Sequence, residues 1–160
     1  MGKRGLIVLV CKGKLIAMYN HWNSYPQHLG AVLVSQLQEL FKKYSMEQIR
    51  EIISNLKIIY SNTKIEPTDE EIKSLSKYAD ESVRSRKLTD WYVLLRNCQG
   101  SLLKTFESGY ALSEEIYNLK DCSTDLFIEY VYILNFDDDT FKCNDLQVGS
   151  LSKIDDKWIS

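Results

Sequence analysis

The sequence predicts an α+β domain: an antiparallel sheet built from an N-terminal and a C-terminal β-hairpin, with about four helices between them in sequence packing on the sheet. Three observations carry this. Two β-branched apolar runs flank a glycine turn within residues 6–19, two aromatic and aliphatic runs flank an acidic turn within 125–146, and the stretch between repeats its apolar residues at helical spacing. The 160 residues are 44% hydrophobic and 26% charged, with no Pro-, Gly- or Ser-rich linker, which suits one core and a single domain over 1–160.

The first hairpin pairs residues 6–11 with 15–19 about a turn centred on Gly13. A two-residue loop sets Val10 opposite Leu15 and Val8 opposite Ala17 on one face, with Leu9 opposite Ile16 and Ile7 opposite Met18 on the other. Both faces are apolar, so the pair belongs in the middle of a sheet, covered by helices on one side and by further helices or a partner subunit on the other. Residues 20–27 form a polar and aromatic connection stopped by Pro26, which also disfavours helix at Tyr25.

Leu29, Leu33, Leu37, Leu40, Phe41 and Tyr44 then predict a helix over about 29–43. Ser45 caps a second, whose stripe is Met46, Ile49, Ile52, Ile53 and Leu56. Residues 57–66 are open between two assignments, with Ile58-Ile59-Tyr60 either a short edge strand or the frayed end of the second helix. Thr68 and Glu71 have capping-box spacing, and Ile72, Leu75 and Ala79 mark a third helix to about residue 80. Trp91, Leu95, Cys98, Leu102 and Phe106 keep one stripe through Gly100, predicting one long fourth helix from Thr89 to a left-handed cap at Gly109. Glycine inside a helix costs roughly 1 kcal/mol against alanine, so Gly100 points to a close neighbouring backbone. Finally, Leu126, Ile128, Tyr130, Tyr132, Leu134 and Phe136 share one face of a strand over 125–136. Asp138-Asp139 turn the chain, Phe136 is expected to face Phe141 and Leu134 to face Cys143, and the return strand ends near Leu146.

Twenty basic and 22 acidic residues alternate along the chain and give a formal net charge of −2. Nucleic-acid binders concentrate basic charge on phosphates, and the nearest run here, Arg84-Ser85-Arg86-Lys87, reads as solvated surface, so no nucleic-acid partner is expected. The longest apolar run, residues 6–11, is far short of the about 20 residues that cross a bilayer, and neither an h-region nor a cleavage site follows Lys3 and Arg4. Met1-Gly2 is the start of a myristoylation motif, but Leu6 stands where that motif wants Ser or Thr. Cys11, Cys98, Cys122 and Cys143 are scattered, and the only histidines are His21 and His28. Free thiols in a cytoplasmic, reducing compartment are expected, with no membrane association, no metal site and no cofactor.

Chemistry is most concentrated at Tyr19-Asn20-His21-Trp22-Asn23-Ser24-Tyr25-Pro26, a strand-to-helix loop of the kind that carries binding groups. Tyr19, Asn20, His21, Trp22, Asn23 and Tyr25 are therefore candidate ligand- or partner-binding residues. Asn20, His21 and Asn23 would fix polar atoms while Trp22 and Tyr25 supply stacking surface. Arg4 joins them if the loop folds back over the sheet edge, where a guanidinium suits a carboxylate or phosphate. The competing assignment is structural: Asn20 and Asn23 satisfy turn backbone, Ser24 bonds locally, Trp22 and Tyr25 plug the end of the sheet, and Arg4 makes a surface ion pair. Asp137-Asp138-Asp139 lacks the spaced oxygens, glycine and distal Glu of a calcium loop and reads as a hairpin tip. With no G-x-S-x-G elbow, P-loop or Rossmann fingerprint, no catalytic residue is assigned.

Met1-Gly2-Lys3-Arg4-Gly5, the hairpin, and then Tyr19 to Pro26 with Leu29-Gly30 resemble a family of uncharacterised proteins found in large DNA viruses of amoebae, phages, bacteria and fungi. Its members open with MGxRG and continue with a YNxWDSYP-like stretch. The resemblance covers most of the chain, including Gln99-Gly100 and the closing Tyr132-Ile133-Leu134. Asn23 stands where that family usually carries Asp, and Lys3 where Thr is usual, so a carboxylate-dependent activity does not transfer. The resemblance implies no established reaction. The Lys- and Ile-rich composition suits a giant virus or a protist.

Two functions are expected. The first is a non-catalytic protein, virion-associated if viral, acting by self-association as a homodimer or by holding a protein partner. The two-sided hairpin, ten tyrosines and three tryptophans support it. The alternative is a small-molecule or nucleotide binder, or an amidohydrolase-like enzyme, using the loop over 19–26. An N-terminal strand entering a sheet between helix layers is the topology of N-terminal-nucleophile hydrolases, although removing Met1 exposes Gly2, which has no nucleophile.

Overall fold

In a computed structural model, which describes residues 3–119 and 127–159, strands β1 (Gly5–Cys11) and β2 (Lys14–Asn20) pair antiparallel in the register a two-residue loop demands. Val10 faces Leu15, Val8 faces Ala17, Leu9 faces Ile16 and Ile7 faces Met18. The turn residues Lys12 and Gly13 both have positive φ, 50° and 75°, as a primed hairpin turn requires.

The fold is α+β, and one sheet unites the two hairpins, but it is mixed instead of antiparallel throughout. Among the described residues its order is β2-β1-β5-β6-β7, with β5 (Tyr130–Asn135) parallel to β1, and β6 (Thr140–Cys143) and β7 (Leu146–Gly149) following antiparallel. The reason lies at the hairpin tips. The Lys12 and Gly13 N–H groups donate to the Asp137 carboxylate at 2.7 and 3.0 Å, so both tips lie at the same end of the sheet. Strands that climb side by side towards neighbouring tips must run parallel. The register of the second hairpin also differs from expectation: Leu134 faces Phe141 and Tyr132 faces Cys143. The turn is longer than Asp138-Asp139, because the Asn135 side chain accepts from the Asp137 and Asp138 N–H groups and draws residues 136–139 into the loop. Asn144, with φ 52°, turns the chain again into β7, a strand beyond the expected end near Leu146.

Between the hairpins, a single π-turn at Pro26–Gly30 leads into α1 (Ala31–Lys43), followed by α2 (Met46–Ser54) and α3 (Asp69–Leu75). Ser45 with Gln48, and Thr68 with Glu71, form complete capping boxes. The ambiguous segment resolves as β3 (Lys57–Tyr60), which pairs in parallel with β4 (Tyr110–Ser113) as a separate two-stranded sheet. The expected long fourth helix is broken. It becomes α4 (Trp91–Leu94), a 3-10 turn at Arg96–Cys98, and α5 (Leu102–Ser108), which Ser101 caps. The apolar stripe keeps step because both pieces face buried neighbours. Gly100 breaks the helix by adopting φ +78°, and Gly109 closes α5 in the same conformation, as expected.

The face of the first hairpin carrying Ile7, Leu9, Ile16 and Met18 packs on Leu33, Leu37, Ile49 and Ile53 of the helices. Its other face, Leu6, Val8, Val10 and Ala17, is covered within the chain by Ile116 and Ile128. Ile128 thus lies on the side opposite Tyr132 and Leu134 and outside β5, not on the strand face predicted for it. A third cluster around Ile59, Leu75, Trp91 and Leu94 joins the small sheet to its helices. The two sheets meet at β2, where the Ala17 N–H donates to Ser113 Oγ at 2.9 Å and the Glu114 N–H donates to the Ala17 carbonyl. Among the described residues no helix is long and apolar enough to cross a membrane. Cys11, Cys98 and Cys143 are free and buried, while Met1, Gly2, Cys122, Asp125 and Leu126 lie outside the described residues.

Candidate functional site

The loop after β2 is organised around Asn20, which the end of the strand delivers into the interior. Asn20 Nδ2 donates to the Trp22 carbonyl and to Ser24 Oγ, both at 2.8 Å. Ser24 is fully buried; its N–H donates to the Lys3 carbonyl at 3.0 Å, and its own carbonyl accepts from the Tyr132 hydroxyl at 2.6 Å. A Cβ on Gly5 would stand 2.5 Å from Ser24 Cβ, so the loop folds directly onto the start of β1. Asn23, exposed and left-handed at φ 54°, offers its carbonyl to the Leu29 N–H at 3.2 Å. The side chains of Asn20 and Ser24 therefore serve the turn, whereas Asn23 contributes its main-chain carbonyl and its left-handed conformation. Trp22 does not plug the sheet: it is 54% exposed, edge-on to His21. Tyr25 packs edge-on against His28.

Tyr19 and His21 point a different way. The Tyr19 hydroxyl lies 2.7 Å from His21 Nδ1, and the His21 N–H donates to Gln99 Oε1 at 2.8 Å. Burial, and then the charges of Arg4 and Arg96, hold the imidazole below its usual range. Burial raises the Tyr19 phenol against the opposing charges of Arg4 and Arg96. At neutral pH the phenol is protonated and the ring uncharged, so the Tyr19 hydroxyl donates to Nδ1 in one imidazole tautomer and accepts from it in the other.

Beside Tyr19, between β2, β4 and the connection from α4 to α5, lies a cavity of about 220 Å³. Ile7, Met18, Leu95 and Leu112 make its apolar wall, and Tyr19, Gln99, Tyr92, Arg84 and Glu114 bring polar groups to it. Gly100 belongs to the wall because Asn20 presses on it from behind: a Cβ there would stand 2.6 Å from Asn20 Oδ1. The close neighbour expected at Gly100 is thus a side chain, not a backbone. Tyr110 contributes its ring, stacked on Trp91, because its hydroxyl is held by Glu71 at 2.7 Å and raised to about 12, first by burial and then by that bond. Burial likewise pushes the Cys98 thiol up to about 11, which leaves it a poor nucleophile. Among the described residues no group of His, Cys, Asp and Glu is arranged to hold a metal ion.

Of the predicted set, Tyr19 alone lines this cavity. His21 and Asn20 support it through Gln99 and Gly100, Arg4 contributes its field, and Trp22, Asn23 and Tyr25 do not line it. Arg84, Tyr92, Gln99 and Glu114 were not singled out by the sequence. Arg84 sits in the basic run that reads as solvated surface, and the one local signal for Gln99 was the glycine after it. No family model, curated protein or solved structure matches the chain, so function rests on this geometry.

Proposed function

We propose that the protein binds a small organic molecule in the cavity bounded by β2, β4 and the α4–α5 connection, as a binding protein with no catalytic residue assigned. The observation that carries this is a cavity of about 220 Å³ lined by both apolar and polar residues. It is smaller than the roughly 300–1,000 Å³ of sites for drug-sized ligands, and so fits a compact metabolite. A thermal-shift screen of metabolites tests it, run on the wild type and on Leu112→Trp, which fills the wall. A ligand at 100 times its Kd adds about 2.7 kcal/mol, or about 5–10 °C for a chain of this size. That shift is expected to vanish in the filled variant. A panel with no hit, or hits unaffected by the tryptophan, would remove the proposal.

A second proposal, a non-catalytic protein that self-associates or holds a protein partner and is virion-associated if the chain is viral, is favoured by the exposed Trp22, since tryptophan is enriched at interface cores. The two-sided hairpin no longer argues for it, because Ile116 and Ile128 already cover the second face. Light scattering that gives only a monomer at high concentration would count against self-association. A cytoplasmic setting fits the free thiols under either proposal.

A further inference from the structure

Two opposite charges line the same cavity without meeting. Arg84, half-exposed, lines both this cavity and a smaller one of about 90 Å³, as do Ser61, Tyr92 and Leu112. The guanidinium is aimed by two contacts. Its Nε lies 3.2 Å from Asp90 Oδ2, and its Cζ sits 5.1 Å from the centre of the Tyr92 ring. Asp90 is itself fixed, with Oδ1 accepting from the Tyr92 N–H and Oδ2 from the Ser85 hydroxyl. The backbone at Arg84 has φ 49°, a left-handed conformation costing about 1 kcal/mol or more for a residue with a Cβ. Among the described residues, Nη1 and Nη2 donate no hydrogen bond, and the ion pair with Asp90 is made through Nε, so the terminal edge of the fork, the edge that grips a carboxylate in two parallel bonds, has hydrogen-bonding capacity to offer.

Glu114 lines the same cavity next to Tyr19. Its backbone is bonded to β2, but its carboxylate has no hydrogen-bond or ion-pair partner among the described residues, Arg84 included. Ile7, Met18, Leu95 and Leu112 line the same cavity. A cavity lined by a guanidinium, a carboxylate and apolar side chains is complementary to a molecule that carries an anionic group, a cationic group and an apolar one.

We infer that the ligand is a zwitterion of amino-acid type, its carboxylate on the terminal edge of Arg84, its ammonium on Glu114 and an aliphatic or aromatic group against the apolar wall. This rests on the cavity being the binding site. Isothermal titration calorimetry with L-phenylalanine and L-leucine, and with the N-acetyl and amide forms of each, tests it on the full chain. The free amino acids are expected to bind at least tenfold more tightly than either derivative, since each derivative removes one charge. Arg84→Gln should weaken them at least tenfold, with Arg84→Lys in between because it keeps the charge but loses the fork. Glu114→Gln should weaken the free amino acids and leave the N-acetyl forms unchanged, a contrast that a loss of folding cannot produce. Derivatives binding as tightly as the parent compounds, or an Arg84→Gln protein of unchanged affinity, would overturn the inference. If the derivatives bind and Leu112→Trp abolishes them, or if only other metabolites bind, the zwitterion fails and the cavity stands. If nothing binds in either screen, both fail together.

Discussion

A methyl group on residue 100 would meet Asn20 Oδ1 at 2.6 Å, and the φ of +78° there already disfavours any residue with a Cβ by about 1 kcal/mol or more. Gly100→Ala is therefore expected to lose about 2–3 kcal/mol of stability, read as a lower urea midpoint at unchanged slope. Asn20→Ala removes two hydrogen bonds from the buried loop and should lose about 1–3 kcal/mol. Because the two residues touch, the double variant should lose less than the sum, and strict additivity would show that the contact has no energetic weight. The types of these residues were plain in the sequence, and the turn-backbone role of Asn20 and the local bonding of Ser24 belonged to one of the two assignments it allowed. Which atom each side chain meets was not, since Asn20 and Gly100 are eighty positions apart in the chain.

At the scale of elements, the caps and the first turn were legible because their signals are local: Ser45 with Gln48, Thr68 with Glu71, and a glycine turn between two apolar runs. The α3 cap also touches the candidate site. Glu71, with its side chain 12% exposed, is pushed up by burial, but the Thr68 N–H, Lys57 and Tyr110 together outweigh this and bring its carboxyl down to about 2. The folded value lies below the unfolded 4.5, so the unfolded chain binds the extra proton. The stabilisation is complete above about pH 4.5 and is lost as pH falls towards 2. Melting curves across that window should show a steeper acid loss for the wild type than for Glu71→Gln, and parallel curves would contradict the assignment. Longer elements were less legible. The stripe from Trp91 to Phe106 keeps helical spacing, yet the helix is broken, because periodicity records which residues face a core and not whether the backbone between them is continuous. The second hairpin slipped by two residues because the Asn135 side chain lengthened its turn, which keeps every side chain on its face and so leaves no trace in the alternation.

In the whole molecule, β1 is an interior strand, flanked by β2 and β5 and covered on both faces. Its amides over residues 6–10 should be the slowest to exchange, opening only with global unfolding, whereas fast exchange there would make the segment peripheral. That place was readable for β1, because a strand apolar on both faces belongs inside a sheet; its partner β2, expected there too, is instead, among the described residues, the last strand of the sheet and meets β4 through a single bridge at Ala17 and Glu114. The sequence by itself determined the α+β class, the first hairpin and its register, and the caps, all of which depend on residues a few positions apart. Only the tertiary structure decided that the hairpins meet in parallel, that residues 116 and 128 cover the second face, and that Arg84, Gln99 and Glu114 surround one cavity with Tyr19. Those outcomes join positions far apart along the chain, and no local propensity or periodicity encodes a distance in space.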